Sequence, residues 1–227
     1  MIGIIAAMEE EIRILKESLG CAEPEHIQGI DFFQGRINQA DVVLCTSGVG
    51  KVNAAMATSL LIEHFECDFI INTGIAGGIT GVHTEDIIIA KALCYFDADA
   101  TPFGYAYGQI PGMPKIYTPN VDSILLVKQI LKHLNLSYKE ASIYSGDSFV
   151  ARLEQVSKVD TAIPCVAEME GAAVAQVCTR AGVDFIVLRY VSDIVGLENQ
   201  IEDYQAFENQ MANRSSEICL EILKKME

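Results

Sequence analysis

The 227-residue chain has no tryptophan, only 6 prolines and little positive charge: 16 Lys and Arg stand against 31 Asp and Glu, a formal net charge of −15. So acidic a surface repels phosphate backbones and anionic headgroups, which argues against nucleic-acid and membrane-surface partners. Long apolar runs are missing too. The opening MIGIIAAM has no cationic leader and stops in three glutamates, so it reads as neither a signal peptide nor a membrane span. The cysteines, at 21, 45, 67, 94, 165, 178 and 219, never form a C-x-x-C pair. They read as small buried hydrophobes in a reducing compartment, the cytoplasm, with no metal and no cofactor expected. Histidine is scarce: His26, His64, His83 and His133 stand apart from one another and read as surface or capping residues. Acid–base chemistry therefore falls to carboxylates.

What is present is apolar. Half the residues are hydrophobic (50%), enough for one α/β domain over 1–227. IGIIAA reads as a strand, followed by a helix from about Glu9 to Leu19 with Ile12, Leu15 and Leu19 on one face. Strands follow in HIQGIDFFQGRI and ADVVLCTSG, then a helix in KVNAAMATSLLIEHF and strands in CDFIINTG and EDIIIAKALCYFD. A Pro/Gly/Tyr-rich loop spans Asp97 to about Pro119. Beyond it come a helix in DSILLVKQILKHL, a strand in ASIYSGDSF, a last core strand in FIVLRYVSD and an amphipathic helix from about Asp203. Such alternation predicts a single-domain three-layer α/β/α fold with a mixed, largely parallel central sheet.

Four apolar strands stop at polar or glycine-rich turns: AAMEEE, TSGVGK, INTGIAGG and RYVSD. Open α/β sheets bind ligands outside the carboxyl ends of their strands, so these turns are the first candidates for a site. The glycines Gly48, Gly50, Gly74, Gly77 and Gly78 fit no Walker or dinucleotide spacing and read equally well as tight turns. Asp193 ends a core strand and shares an extended face with Val191 and Arg189, so it is a site carboxylate, half of a structural Arg–Asp pair or a helix cap. One of Glu9, Glu10 and Glu11 is placed to point into the sheet-end crevice, the others into water. In CVAEMEGAAVAQVC, Glu168 and Glu170 share a face if the segment is extended and lie nearly opposite if it is helical. Carboxylates thus converge where paired groups with separated pKa values could cleave a glycosidic bond.

The stretches IGIIAAMEEE, SGVGKVNAA, INTGIAGG, DADATPFGYAYGQIPG, SGDSF, AEMEGAAVAQVC and RYVSD, in that order, resemble the nucleoside phosphorylase/hydrolase superfamily. The resemblance is greatest to the 5′-methylthioadenosine/S-adenosylhomocysteine nucleosidases. It implies that Glu11 is the base activating a water and Asp193 the acid protonating the purine at N7. It places Glu170 on the ribose hydroxyls with Met169 beside the sugar, Phe149 on adenine, and the Val150 backbone and Gly77 at the base. Arg189 and Ser192 become supports near the water and the acid. Met8, Val49, Ile75 and Tyr204 are expected to line the pocket, Tyr204 as part of a lid. Phe103, Tyr105 and Pro111 would reach into a partner subunit's pocket, which implies a homodimer. Asn72 stands where related phosphorylases carry a phosphate-binding arginine, which favours water as nucleophile.

One departure concerns the acid. Many nucleosidases have a serine at position 75 whose hydroxyl holds the aspartate, and Ile75 cannot supply that bond. Glu168 is expected to be a structural or dimer-region carboxylate. The reading is hydrolysis of methylthioadenosine and adenosylhomocysteine. Its rivals are a nucleosidase for another purine nucleoside such as aminodeoxyfutalosine, a phosphorylase, or a nucleoside-binding protein without turnover.

Overall fold

The computed structural model describes residues 1–20 and 23–225, with the backbone alone for 207–212, so Cys21 lies outside the described residues. The chain runs β1 (Ile2–Ala6), α1 (Glu9–Leu19), β2 (Glu25–Ile27), β3 (Ile30–Ile37), β4 (Ala40–Thr46), α2 (Lys51–Glu63), β5 (Phe69–Asn72) and β6 (Ile75–Thr80). It continues through β7 (Ile87–Tyr95), α3 (Val121–His133), β8 (Tyr138–Ser145), β9 (Cys165–Glu168), α4 (Gly171–Ala181), β10 (Asp184–Ile194) and α5 (Gln200–Leu223).

The apolar runs become strands because both sheet faces are covered. β1 is buried along its whole length, between β4 and β5. Ala54, Ala57 and Leu61 of α2 and the small residues Ala172 to Ala175 of α4 pack on one face. Ile12 and Leu15 of α1, Val127, Ile130 and Leu131 of α3 and Ile218 and Ile222 of α5 cover the other. Small side chains on α4 let it approach closely, and α2 and α4 are in contact. The three-layer fold read from the alternation is therefore present.

Parallel pairings join β1 to β4 and β5, β10 to β5 and β6, and β8 to β7 and β9. Antiparallel pairings join β2 to β3, β3 to β4, β6 to β9 and β7 to β10. Strand order is β2-β3-β4-β1-β5-β10-β6-β9-β8-β7, and β7 also meets β10. The second half of the sheet thus curls back on itself. The 11-residue β10 makes this possible: Asp184–Val187 pair with β5, Leu188–Tyr190 with β7 and Tyr190–Ile194 with β6.

Several sequence expectations shift. INTGIAGG is a turn only at Thr73 and Gly74, because Ile75–Thr80 continue as β6, with Gly77 and Gly78 inside a paired strand. The SGDSF stretch leaves the sheet at Ser145. The last helix starts at Gln200, three residues before the expected position. The register of β10 slips between Val191 and Asp193, so strict alternation fails there. Val191 stays in the core, while Asp193 faces a pocket. Cys45, Cys67, Cys94, Cys165, Cys178 and Cys219 are free and buried, as small hydrophobes.

Candidate active site

All four strand-end turns meet at one cavity. It is lined by Met8 and Glu11 after β1, Val49 after β4, Ile75 to Gly77 of β6, Ser192 and Asp193 of β10, Glu168 to Glu170 after β9, Phe149 and Tyr204. The space measures about 90 Å³, and a further lobe of about 40 Å³ beneath Phe149 includes Val150, Gly77 and Asp193. A larger groove of about 830 Å³ lies between the end of α3 and α5. Its ion pair, Arg214 with Glu85, is exposed, and it lacks the buried carboxylates of the smaller cavity.

Glu11 is the member of the glutamate triplet that turns inward, because α1 begins as β1 leaves the sheet. Its Oε2 accepts from the backbone N–H of Ala7 at 2.9 Å and of Met8 at 3.0 Å, and its Oε1 from that of Ile75 at 3.0 Å. Burial raises its pKa, against the pull of the nearby Arg189 cation and of those N–H groups. The carboxylate fits only because residue 74 is glycine: a Cβ there would stand 2.5 Å from Oε1. Glu9 stays exposed and pairs with Lys16 at 2.8 Å.

Asp193 approaches the same cavity from β10. Ser192 Oγ donates to its Oδ1 at 2.6 Å and Gln200 Nε2 to its Oδ2 at 2.8 Å. Burial raises its pKa, and these two donors hold it back. The possible Arg189–Asp193 pair does not form. Arg189 instead donates from Nη2 to Glu168 Oε2 at 2.5 Å and to Asn72 Oδ1 at 2.7 Å. The reason is the slip in β10, which turns Asp193 away from the face that Arg189 occupies.

The two glutamates of the CVAEMEGAAVAQVC stretch separate because β9 ends at Glu168 and α4 begins at Gly171. Glu168 accepts from the N–H of Glu170 at 3.1 Å and of Gly171 at 2.7 Å, and from Ser145 Oγ. It therefore closes the start of α4 and neutralises Arg189, a structural arrangement. Glu170 lines the cavity and accepts from the N–H of Gly50 at 2.9 Å. Gly50 has φ +103°, a conformation that favours glycine. Burial, and then the neighbouring Glu168, push the Glu170 pKa up to about 8.

Phe149 and Tyr204 close the outer side, their rings edge-to-face with centroids 5.6 Å apart. Arg189 stands behind the lining residues, and Phe103 and Pro111 are not among them. Phe103 is 82% exposed on the loop after β7. All four histidines lie on the surface. Sequence reasoning missed Gln200, because nothing in a lone glutamine seven residues after Asp193 signals that it folds back onto it.

The phosphorylase superfamily matches this chain over residues 1–224. A 5′-methylthioadenosine/S-adenosylhomocysteine nucleosidase of Staphylococcus carnosus is 43% identical over 229 residues, covering 100% of both chains. The chain belongs to this nucleosidase family. Its fold agrees: the S-adenosylhomocysteine nucleosidase of Streptococcus pyogenes, solved with 5-methylthiotubericidin, superposes with TM-score 0.94 at 38% identity, covering 100% of this chain and 97% of that one. A futalosine hydrolase of Helicobacter pylori also has this fold, with TM-score 0.91 at 28% identity over 99% of this chain and 97% of its own. The nucleosidase family is thus supported by sequence and by fold over essentially the whole chain.

Proposed function

We propose that this protein is a hydrolase that cleaves the N-glycosidic bond of 5′-methylthioadenosine and S-adenosylhomocysteine, releasing adenine and the 5-thioribose product. The observation that carries this reading is that Glu11 and Asp193, two buried carboxylates in different environments, line one cleft walled by Phe149 and Tyr204. Glu11, ionised, takes a proton from a water as its oxygen attacks C1′. Asp193, protonated, gives its proton to the purine N7, so the base leaves neutral while the sugar passes through an oxocarbenium-like transition state. Glu170 accepts from the ribose hydroxyls with Met169 against the sugar, and Phe149 stacks on the base. The unfilled space is below the roughly 300 Å³ of ordinary ligand pockets. A nucleoside therefore enters when Phe149 and Tyr204 move apart.

Water rather than phosphate is the nucleophile on this reading. Asn72 carries no charge, and its amide is committed to Ile5 O at 3.0 Å and to Arg189. Arg189 in turn is neutralised by Glu168. Phosphate thus meets no fixed, unpaired cation there.

The exposed Phe103 and the neighbouring Pro111 support pairing with a second copy, whose pocket they would cover. Sedimentation of the protein as a monomer would remove that part of the reading. Free buried cysteines support a reducing compartment, the cytoplasm, and the substrates of the proposed reaction place the enzyme in methionine salvage. The deciding experiment is chromatographic detection of free base from methylthioadenosine, adenosylhomocysteine, adenosine, inosine and aminodeoxyfutalosine, each with and without phosphate. Release that required phosphate would exclude the hydrolase. Faster release from aminodeoxyfutalosine would move the enzyme to another substrate.

A further inference from the structure

Ile75 offers the acid only carbon, yet Asp193 does not lack a second donor. Gln200, the first residue of α5, is 4% exposed and folds back into the core. Its Nε2 donates to Asp193 Oδ2 at 2.8 Å and to Val150 O at 2.9 Å, and its Oε1 accepts from the N–H of Gly196 at 3.0 Å. Both amide hydrogens and the carbonyl oxygen are used, so the amide can sit only one way round. Turned over, it would aim its oxygen at a carboxylate and a carbonyl, and its NH₂ at an N–H.

The geometry gives these bonds a direction. A Cβ on Gly77 would stand 3.1 Å from Asp193 Oδ2, so the oxygen that Gln200 holds is the one at the pocket wall. Ser192 holds the other oxygen. Val150 follows Phe149 on its loop, and Tyr204 lies one turn along α5 from Gln200, its ring against Phe149. One side chain thus ties together the carboxylate, the loop of one aromatic wall and the helix of the other.

We propose that Gln200 is a positioning residue for the acid, supplying the hydrogen bond that Ile75 cannot and coupling the orientation of Asp193 to the seating of α5. This rests on the nucleosidase reading, with Asp193 as the group that protonates the base. Gln200 touches no reacting atom; it acts through Asp193.

The test compares two leaving groups. Adenine must be protonated to depart, whereas p-nitrophenolate, released from p-nitrophenyl 5-methylthioriboside, need not be. If wild-type protein releases p-nitrophenol but no adenine, the nucleosidase reading fails by itself, whatever Gln200 does. With active wild type, Gln200→Met and Gln200→Glu are assayed on both substrates. A positioned general acid contributes roughly 10²–10⁴-fold, and both variants keep Asp193 with its Ser192 bond, so kcat for adenine release is expected to fall by ~10-fold or more, though less than in Asp193→Asn. Release of p-nitrophenol should stay within ~3-fold of wild type, because that step makes no use of the acid. The ratio of the two rates is internal to each preparation, so a partly unfolded variant still reports. Equal losses on both substrates would make Gln200 merely structural. Unchanged adenine release in Gln200→Met would overturn the proposal as well.

Discussion

Arg189 and Glu168 form an ion pair of 2.5 Å inside the protein, with side chains only 2% and 3% exposed. Arg189 stands behind the cleft, where its charge acts on Glu11 and Glu170, and Glu168 belongs to the cleft wall. Glu168 also holds the first N–H groups of α4. Removing one partner of a buried pair leaves the other charge uncompensated. Glu168→Ala should therefore cost about 3–5 kcal/mol of stability, read from urea unfolding. A loss below ~1 kcal/mol would show that water reaches Arg189.

The acid is tested most directly by an isosteric change. Asp193→Asn keeps the shape and loses the transferable proton, so adenine release should fall by ~10²–10⁴-fold. Binding of a non-hydrolysable methylthioadenosine analogue, followed by calorimetry, should be largely retained. Turnover like that of wild type would refute Asp193 as the acid.

Glu11→Gln tests the other carboxylate. The amide cannot take a proton from water, and hydrolysis should drop by ~10²–10⁴-fold. Full activity in this variant would move the base elsewhere in the cleft.

Gly74→Ala probes close packing instead of chemistry. The added methyl would meet Glu11 Oε1 at 2.5 Å, so the carboxylate must shift from its place, first against the Ile75 N–H that Oε1 accepts from. Overpacking of this kind costs roughly 1–3 kcal/mol. A lower melting temperature together with reduced kcat is expected, and an unchanged kcat would contradict the tight fit.

Stability should fall as pH rises. Glu170 ionises near its ordinary 4.5 when unfolded and at about 8 in the fold. Between these values the folded state keeps a proton that the unfolded state has lost, so each rise in pH favours unfolding. The raised pKa values of Glu11 and Asp193 act in the same direction. Wild type should thus melt higher at pH 5 than at pH 8, and Glu170→Gln should narrow that gap. An undiminished gap in Glu170→Gln would show that Glu170 is not the group responsible.

The strands and helices were legible in the sequence because burial on both faces demands unbroken apolar runs and helices with one apolar stripe. The apolar IGIIAA and FIVLRY segments and the Ile12–Leu15 stripe identify central elements by themselves. The carboxylates were visible for the converse reason: charge at the end of an apolar strand is costly unless it has a task. Only the tertiary structure decided what each charge does. The slip in β10 separates Asp193 from Arg189, and the break between β9 and α4 assigns Glu168 to the helix start and Glu170 to the cleft. Gln200 meets Asp193 only because α5 packs back across the sheet. Periodicity along a chain reports which face a residue occupies, but a hydrogen bond depends on where other elements bring their atoms, and that information is not local.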